Sequence, residues 1–506
     1  MGILLIALAI RVLGVTYDYP FVLDIDEVRL MQSTNHMLSA HSLDPQFYVY
    51  GPLLDYIEAL WLLPYMAVRA VLGLPPTPII IGYQSWTATT TDPLMHVYGR
   101  LIFVLIGVAA VWLAFLVGRR LEGVWTGLLA AAFLALSPLH AYQSHFFLPN
   151  APTSFFTLAT TWWVLRYVQE PHADRAPIAP APGRRSWRDR LLDGESANLV
   201  LATVAASLGA SIKYNAVLIL IAPLYAAYLE RRGYRQSWPL RCVRLCAVAL
   251  LVFLAVTPPA LVNTVAFVRG AAYQIKVYAV YGGDDPTPSI LWNGGYLIGH
   301  EGLLLFPLAV VGLAVLIWKE RRPADLVLLA AIAVYYLFLG VQKAHFDRNL
   351  LVILPLISVA GAYTLARIAR SLRPLGLAAS CLLTAIILTS LGGRSLDQTR
   401  AMLAPSPQLV TRSWLDKHLP PGARLLADPY TVPPLDRPDV STTYLPFVRL
   451  TPEQLWRQGF TFAVFSKALA YYDQPGTDRL SSPTVDLVPV YWNGSIAVFK
   501  LVPHRA

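Results

Sequence analysis

Charged side chains are scarce in this chain of 506 residues. Asp, Glu, Lys and Arg together make up 14%, where a soluble domain carries about a quarter. Hydrophobic residues make up 56%, and the mean hydropathy is +0.51. That balance excludes a soluble enzyme, a disordered protein and a nucleic-acid-binding module. Cysteine is nearly absent: Cys242, Cys246 and Cys381 all fall in apolar segments, so neither a disulfide framework nor a cysteine zinc site is available. There is no P-loop, no GxGxxG, no Ser-His-Asp signature and no solenoid repeat. What the chain has in abundance is apolar runs of about 20 residues, the length that crosses a bilayer.

Those runs predict about eleven spans. The first covers 3–16 and the others lie near 99–117, 121–138, 152–168, 198–212, 214–229, 243–260, 299–317, 324–341, 349–366 and 375–391. The first run is short for a span, which suggests a clipped start. A cleaved signal peptide is the rival, disfavoured because no basic flank precedes the run and no small-residue cleavage site follows it. The net charge of +10 belongs to loops rather than to a nucleic-acid surface. Basic residues recur in every second loop: Arg119-Arg120, the 169–197 loop (Arg184, Arg185, Arg188, Arg190), the 230–242 loop, Lys319 with Arg321 and Arg322, and Arg367, Arg370 and Arg373. By the positive-inside rule these loops and the N-terminus are cytoplasmic. The loops 17–97, 139–151, 261–298, 342–348 and the turn at Lys213 are then external. An apolar stretch near 52–74 carries Asp55, Glu58 and Arg69 and is broken by Pro64. Charges are costly at the bilayer centre, so this stretch is expected to be an interfacial helix.

The tail has a different composition. Residues 1–392 read as the membrane domain and 393–506 as a small external α/β domain. Helical patterns fit 406–418 and 452–458, and short β-like runs lie at Arg424–Ala427, Phe460–Ser466 and Ser495–Leu501, separated by turn signals such as Pro420-Pro421-Gly422.

The first external loop opens with Asp24-Ile25-Asp26-Glu27. Packed carboxylates repel, so one of them can accept a proton near neutral pH; a solvated acidic loop has the same composition. Three cations stand at external ends of spans: Arg100, Lys213 and Arg348. Lipid-headgroup contact is their ordinary role, yet the charge bias sends Lys and Arg inside. External ones facing a carboxylate cluster would suit an anionic substrate such as a lipid phosphate. His140 and His145 could ligate a metal with partners from elsewhere, although a lone histidine is more often structural.

Taken in order, these pieces resemble the GT-C superfamily of integral-membrane glycosyltransferases. The resemblance is to the protein O-mannosyltransferase and aminoarabinose-transferase group (family 39-like), which use a phospholipid carrier. Asp26-Glu27 matches the family's acidic pair after the first span, and Gly51-Pro52-Leu53-Leu54 its interfacial-helix start. Arg100 matches the Arg opening the second span. Ser211-Ile212-Lys213-Tyr214-Asn215 resembles a Lys-Tyr turn, and Arg348-Asn349-Leu350-Leu351 with Pro355 a further segment. Asn150 departs from the pattern, since many relatives carry Asp there.

The resemblance implies a GT-C fold and an inverting glycosyltransferase of the plasma (inner) membrane. Its donor would be a polyprenyl-monophosphate sugar, and its acceptor a protein, lipid or glycan hydroxyl of the cell envelope. Asp26 would be the general base, Glu27 would orient a substrate, and Arg100, Lys213 and Arg348 would hold the donor phosphate. Asp24, His145, Asn150, Tyr214 and His345 are further candidates for substrate binding. No cofactor is required; a divalent metal is compatible but not indicated. Membrane lipids are the other expected partners. Two other functions stay open: a polytopic transporter or lipid flippase, and a catalytically inactive scaffold of the same fold.

Overall fold

The computed structural model describes residues 1–74, 88–89, 93–169, 196–231, 237–280, 285–371, 374–428, 431–445, 450–466, 482 and 484–504. The expected basic linker with Arg184, Arg185, Arg188 and Arg190, and also Arg232, Arg235, Asp284 and Arg373, lie outside them.

Helices dominate the first 400 residues. Among the described residues, four stretches are long and apolar enough to cross a membrane: Pro93–Glu122, Trp238–Ala255, Pro323–Gly340 and Leu375–His418. The pair Ser289–His300 and Leu305–Glu320 makes a fifth if its 113° bend is one broken span. Several other expected spans coincide with shorter apolar helices, Gly2–Leu13, Val124–Ala135, Ala197–Ala210 and Tyr214–Leu229. The last of these starts as a 3-10 helix over Tyr214–Leu220.

The core of this bundle is built from small and branched residues, including Ala110, Ala114, Ala130, Ala206, Ala226, Ala360, Leu134 and Leu354. Small side chains let helix backbones approach, which is how helices associate where no water drives them together. The turn between Pro93–Glu122 and Val124–Ala135 is made by Gly123 at φ +99°, a conformation that a side chain disfavours.

Two ends of the bundle are chemically distinct. At one end Glu122 collects Arg322, Arg367 and Arg370, and Glu320 pairs with Arg322 and Arg367. Three separately basic loops therefore meet there. Arg100 lies 22 residues before Glu122 on the same helix, which is roughly 33 Å away at 1.5 Å per residue.

The long loop after the first helix is more ordered than its polar sequence suggests. It contains a helix over Ile25–Ala40, and a second over Leu53–Val71 where an interfacial helix was expected. The second helix turns Asp55 and Glu58 inward, both buried, and Asp55 accepts from the Ser33 and Thr34 hydroxyls. The 261–298 loop likewise carries a helix over Thr264–Val280.

The tail forms a five-stranded mixed sheet in the order Ser441–Tyr444, Arg424–Ala427, Phe462–Ser466, Ile496–Pro503, Val485–Trp492. The helix Leu375–Leu403 runs continuously through residue 392, where the division of the chain was expected.

Candidate active site

Asp24 begins the site by capping a helix. Its carboxylate accepts from the backbone N–H of Asp26 at 2.9 Å and of Glu27 at 3.1 Å. This is an N-cap, and it aims the next two carboxylates in different directions. Burial and the neighbouring Asp26 and Glu27 charges push the Asp24 carboxyl up to about 6.

Glu27 points inward and is fully buried. Arg100 grips it with both edges of its fork, Nε to Oε1 at 2.9 Å and Nη2 to Oε2 at 2.6 Å, and the Phe147 N–H also donates to Oε1 at 2.9 Å. Burial alone would raise the Glu27 carboxyl; the Arg100 charge, His96 and these donated bonds outweigh it and hold it below its ordinary value. Arg100 Nη1 donates to the carbonyls of Val15 and Tyr17 and its guanidinium lies over the Phe146 ring. Arg100 is 1% exposed. It joins the first helix's exit to the acidic helix.

Asp26 points the other way. Its side chain is 26% exposed, with Tyr50 donating its hydroxyl to Oδ2 at 3.0 Å and Arg348 Nη2 3.4 Å from the same oxygen. Burial works against the Arg348 charge, but Asp26, Tyr50 and Tyr278 hold the guanidinium's pKa above its ordinary value. Arg348 also lies over the Phe346 ring at 4.6 Å.

Lys213 is buried and donates to two amide oxygens, Asn150 Oδ1 and Asn349 Oδ1, each at 2.9 Å. Asn150 in turn donates to Gln143, and Tyr278 donates to Asn349 at 3.2 Å. Both amides are neutral, and among the described residues no carboxylate bonds the ammonium directly. Burial and the nearby Arg348 charge lower Lys213 to about 7, against the opposing pull of Asp26 and Asp347.

Two sequence motifs meet behind these groups. Gly51 N–H donates to the Ile212 carbonyl at 3.0 Å, and Tyr214 donates its hydroxyl to the carbonyls of Tyr48 and Tyr50. A Cβ on Gly51 would lie 1.9 Å from the Ser211 oxygen. Gly51→Ala is therefore expected to push the loop off the Lys213 turn and to cost about 1–3 kcal/mol or more, read as a lower Tm in a thermal melt. An unchanged Tm would mean that the contact yields freely.

Lys213, Tyr50 and Tyr214 head a cavity of about 440 Å³. Val49, Val217, Leu218, Ile275 and Phe338 make it largely apolar, and Lys343 and Gln342 stand on its wall. A second apolar cavity of about 350 Å³ shares Tyr214 and Val217 with it.

The other candidates are placed as follows. His145 is buried, its ring nitrogens facing the carbonyls of Tyr142 and Ile10, so it links the loop to the first helix. His345 stacks on Trp292 and faces Ser289 at 3.0 Å. His140 bonds Arg11. No group of three metal-ligating side chains occurs among the described residues. Tyr50, Tyr278, Asn349 and Gln143 were not singled out from the sequence for a role. Two had a local signal, Tyr50 beside Gly51-Pro52 and Asn349 beside Arg348.

The family model for dolichyl-phosphate-mannose-protein mannosyltransferase matches residues 76–270. No curated protein matches the chain in sequence. Among solved structures, ArnT from Cupriavidus metallidurans in the apo state is similar, with a TM-score of 0.52 at 16% identity over 99% of this chain and 97% of that one. The same protein bound to undecaprenyl phosphate gives 0.53 at 15% over the same shares. The Archaeoglobus fulgidus oligosaccharyltransferase in its apo form gives 0.52 at 12%, over 92% of this chain and 69% of that one. With its apolar helices and its small sheet, the chain has the fold of these membrane glycosyltransferases, and its residues 76–270 resemble the dolichyl-phosphate-mannose-protein mannosyltransferase family.

Proposed function

We propose that this protein transfers a sugar, with inversion, from a polyprenyl-monophosphate carrier to an acceptor hydroxyl at the external membrane face. The observation that carries this reading is a partly exposed carboxylate, Asp26, 3.4 Å from Arg348 and bonded to Tyr50, which with Lys213 lines an apolar cavity of about 440 Å³. An anionic head on a hydrocarbon tail has the shape and charge that such a place accepts. A similar structure holding undecaprenyl phosphate supports it.

In the proposed step the acceptor oxygen attacks the anomeric carbon as Asp26 takes its proton. The bond from that carbon to the phosphate oxygen breaks, and its electron pair leaves on the phosphate. Arg348 and Lys213 neutralise that charge. Phosphate is a good leaving group, so no general acid is needed. Attack opposite the leaving group inverts the anomeric carbon, in contrast to the double displacement of retaining glycosidases.

Glu27 and Arg100 act in this scheme as positioning residues, because they spend their polar atoms on each other and on backbone groups. Asp24 orients the acidic helix start, Asn150 and Tyr214 set the Lys213 turn, His145 braces the loop, and His345 stands beside the Arg348 turn. We further propose about eleven crossings, a cytoplasmic N-terminus and an external domain over 393–506. The gathering of basic loops around Glu122, far from Arg100, supports a common cytoplasmic side for those loops.

Binding of the sugar-free carrier tests the cavity. Burial and the Arg348 charge lower Lys213 to about 7, so its charge declines as the pH rises through that region. Polyprenyl phosphate, titrated by fluorescence into protein in nanodiscs, is expected to bind roughly tenfold more weakly at about pH 8.5 than at about pH 6. Lys213→Arg keeps its charge throughout and isolates the carrier's own titration. The same pH response in both proteins would remove Lys213 as a phosphate ligand.

A further inference from the structure

Asp26 is held through one oxygen. Tyr50 and Arg348 both address Oδ2, at 3.0 Å and 3.4 Å, while Oδ1 has no hydrogen bond among the described residues and the side chain is partly exposed. Tyr50 itself is 4% exposed and fixed from behind. Its ring meets Phe47 edge-on, its carbonyl accepts from Tyr214, and the next residue, Gly51, is bonded to Ile212 beside Lys213. Tyr50 also lines the cavity that Lys213 heads. One residue thus bonds the carboxylate through its phenol, lines the cavity, and is tied to the lysine turn through its carbonyl and the next residue's N–H.

We propose that Tyr50 is a positioning residue for transfer: with Arg348 it pins Asp26 Oδ2, leaving Oδ1 to take the acceptor's proton. This rests on the glycosyltransferase function proposed above. A base held through one oxygen presents the other in a fixed direction, and orientation of that kind sets the rate of a bound reaction. Because the same residue forms part of the cavity wall, a seated carrier and a correctly aimed base are linked through a single side chain.

The charged and titratable groups around Asp26 are Asp24 and Glu27 on its own helix, Arg348 on the 347–352 turn, Lys213 on the turn after Ala197–Ala210, and Tyr278 on Thr264–Val280. Tyr50→Phe leaves all of these in place and removes one donated hydrogen bond. Its loss is expected to lower kcat about tenfold, with the donor KM unchanged.

The measurement is transfer by the full chain in nanodiscs, comparing the wild type, Tyr50→Phe and Tyr56→Phe. Tyr56 donates to the Leu43 carbonyl, away from Asp26, and its variant is expected to match the wild type. A lower kcat with an unchanged donor KM in Tyr50→Phe alone, with normal carrier binding and an unchanged Tm, supports the inference. An unchanged kcat in a folded Tyr50→Phe protein overturns it and leaves Tyr50 a packing residue. A wild type that transfers from no polyprenyl-phosphate sugar would instead overturn the function and this inference with it.

Discussion

Asp26→Asn is expected to lower kcat by about 10²- to 10⁴-fold, the range for losing a general base, while carrier binding persists. The amide has nearly the carboxylate's shape and can still accept from Tyr50, so the local fold has little reason to change. What it loses is the capacity to take the acceptor's proton. It also loses the anion beside Arg348. On the proposed function, the wild-type guanidinium would be shared between Asp26 and an incoming phosphate, and in the variant the phosphate would have it alone. Carrier affinity is therefore expected to be unchanged or higher. Paired measurements of turnover and polyprenyl phosphate affinity check both halves. Turnover within a few-fold of wild type would remove Asp26 as the base, and joint loss of binding and turnover would make it a binding group.

Glu27→Gln is expected to behave quite differently, as a loss of stability. Glu27 and Arg100 are 0% and 1% exposed and share two hydrogen bonds. Neutralising one partner leaves an uncompensated charge in the interior, typically a loss of about 3–5 kcal/mol. The result should be a clearly lower Tm for purified protein in detergent or nanodiscs. Replacing both, as Glu27→Gln with Arg100→Met, removes the stranded charge and is expected to recover part of the loss. A substrate ligand would give another pattern, with Tm unchanged and KM raised. That outcome would return Glu27 to the role the sequence suggested.

The acidic run and the three cations at span ends were visible in the sequence because charge is rare in this chain. Their depth was not. Nothing in Asp26-Glu27 says that one carboxylate faces a cleft and its neighbour an interior arginine; the Asp24 cap and the helix it starts decide that. Arg100 and Arg348 likewise look alike as cations at span ends, yet one is enclosed and the other is 35% exposed at the side chain. The partners of Lys213 come from 63 and 136 residues away, a separation that no local pattern carries.

In the tail, Arg424–Ala427 and Pro407–His418 form where the apolar pattern and the turn signals place them. Two strands escaped notice for identifiable reasons. Ser441–Tyr444 is a polar edge strand paired on one side only. Val485–Trp492 contains Pro489, and the register shifts between Pro489 and Tyr491. Proline belongs on edge strands and at bulges, and here it has both, at the cost of the alternation that marks a strand. The bend between Ser289–His300 and Leu305–Glu320 similarly breaks one apolar stretch into two short helices.

Transfer from a lipid phosphate by Asp26 is tested most directly with purified protein in nanodiscs and a panel of radiolabelled polyprenyl-phosphate sugars, following release of the sugar from its carrier in the wild type and in Asp26→Asn. Release or transfer from at least one donor is expected in the wild type, and its loss in the variant. Carrier binding with no turnover of any donor in either protein, or equal turnover in both, would contradict it.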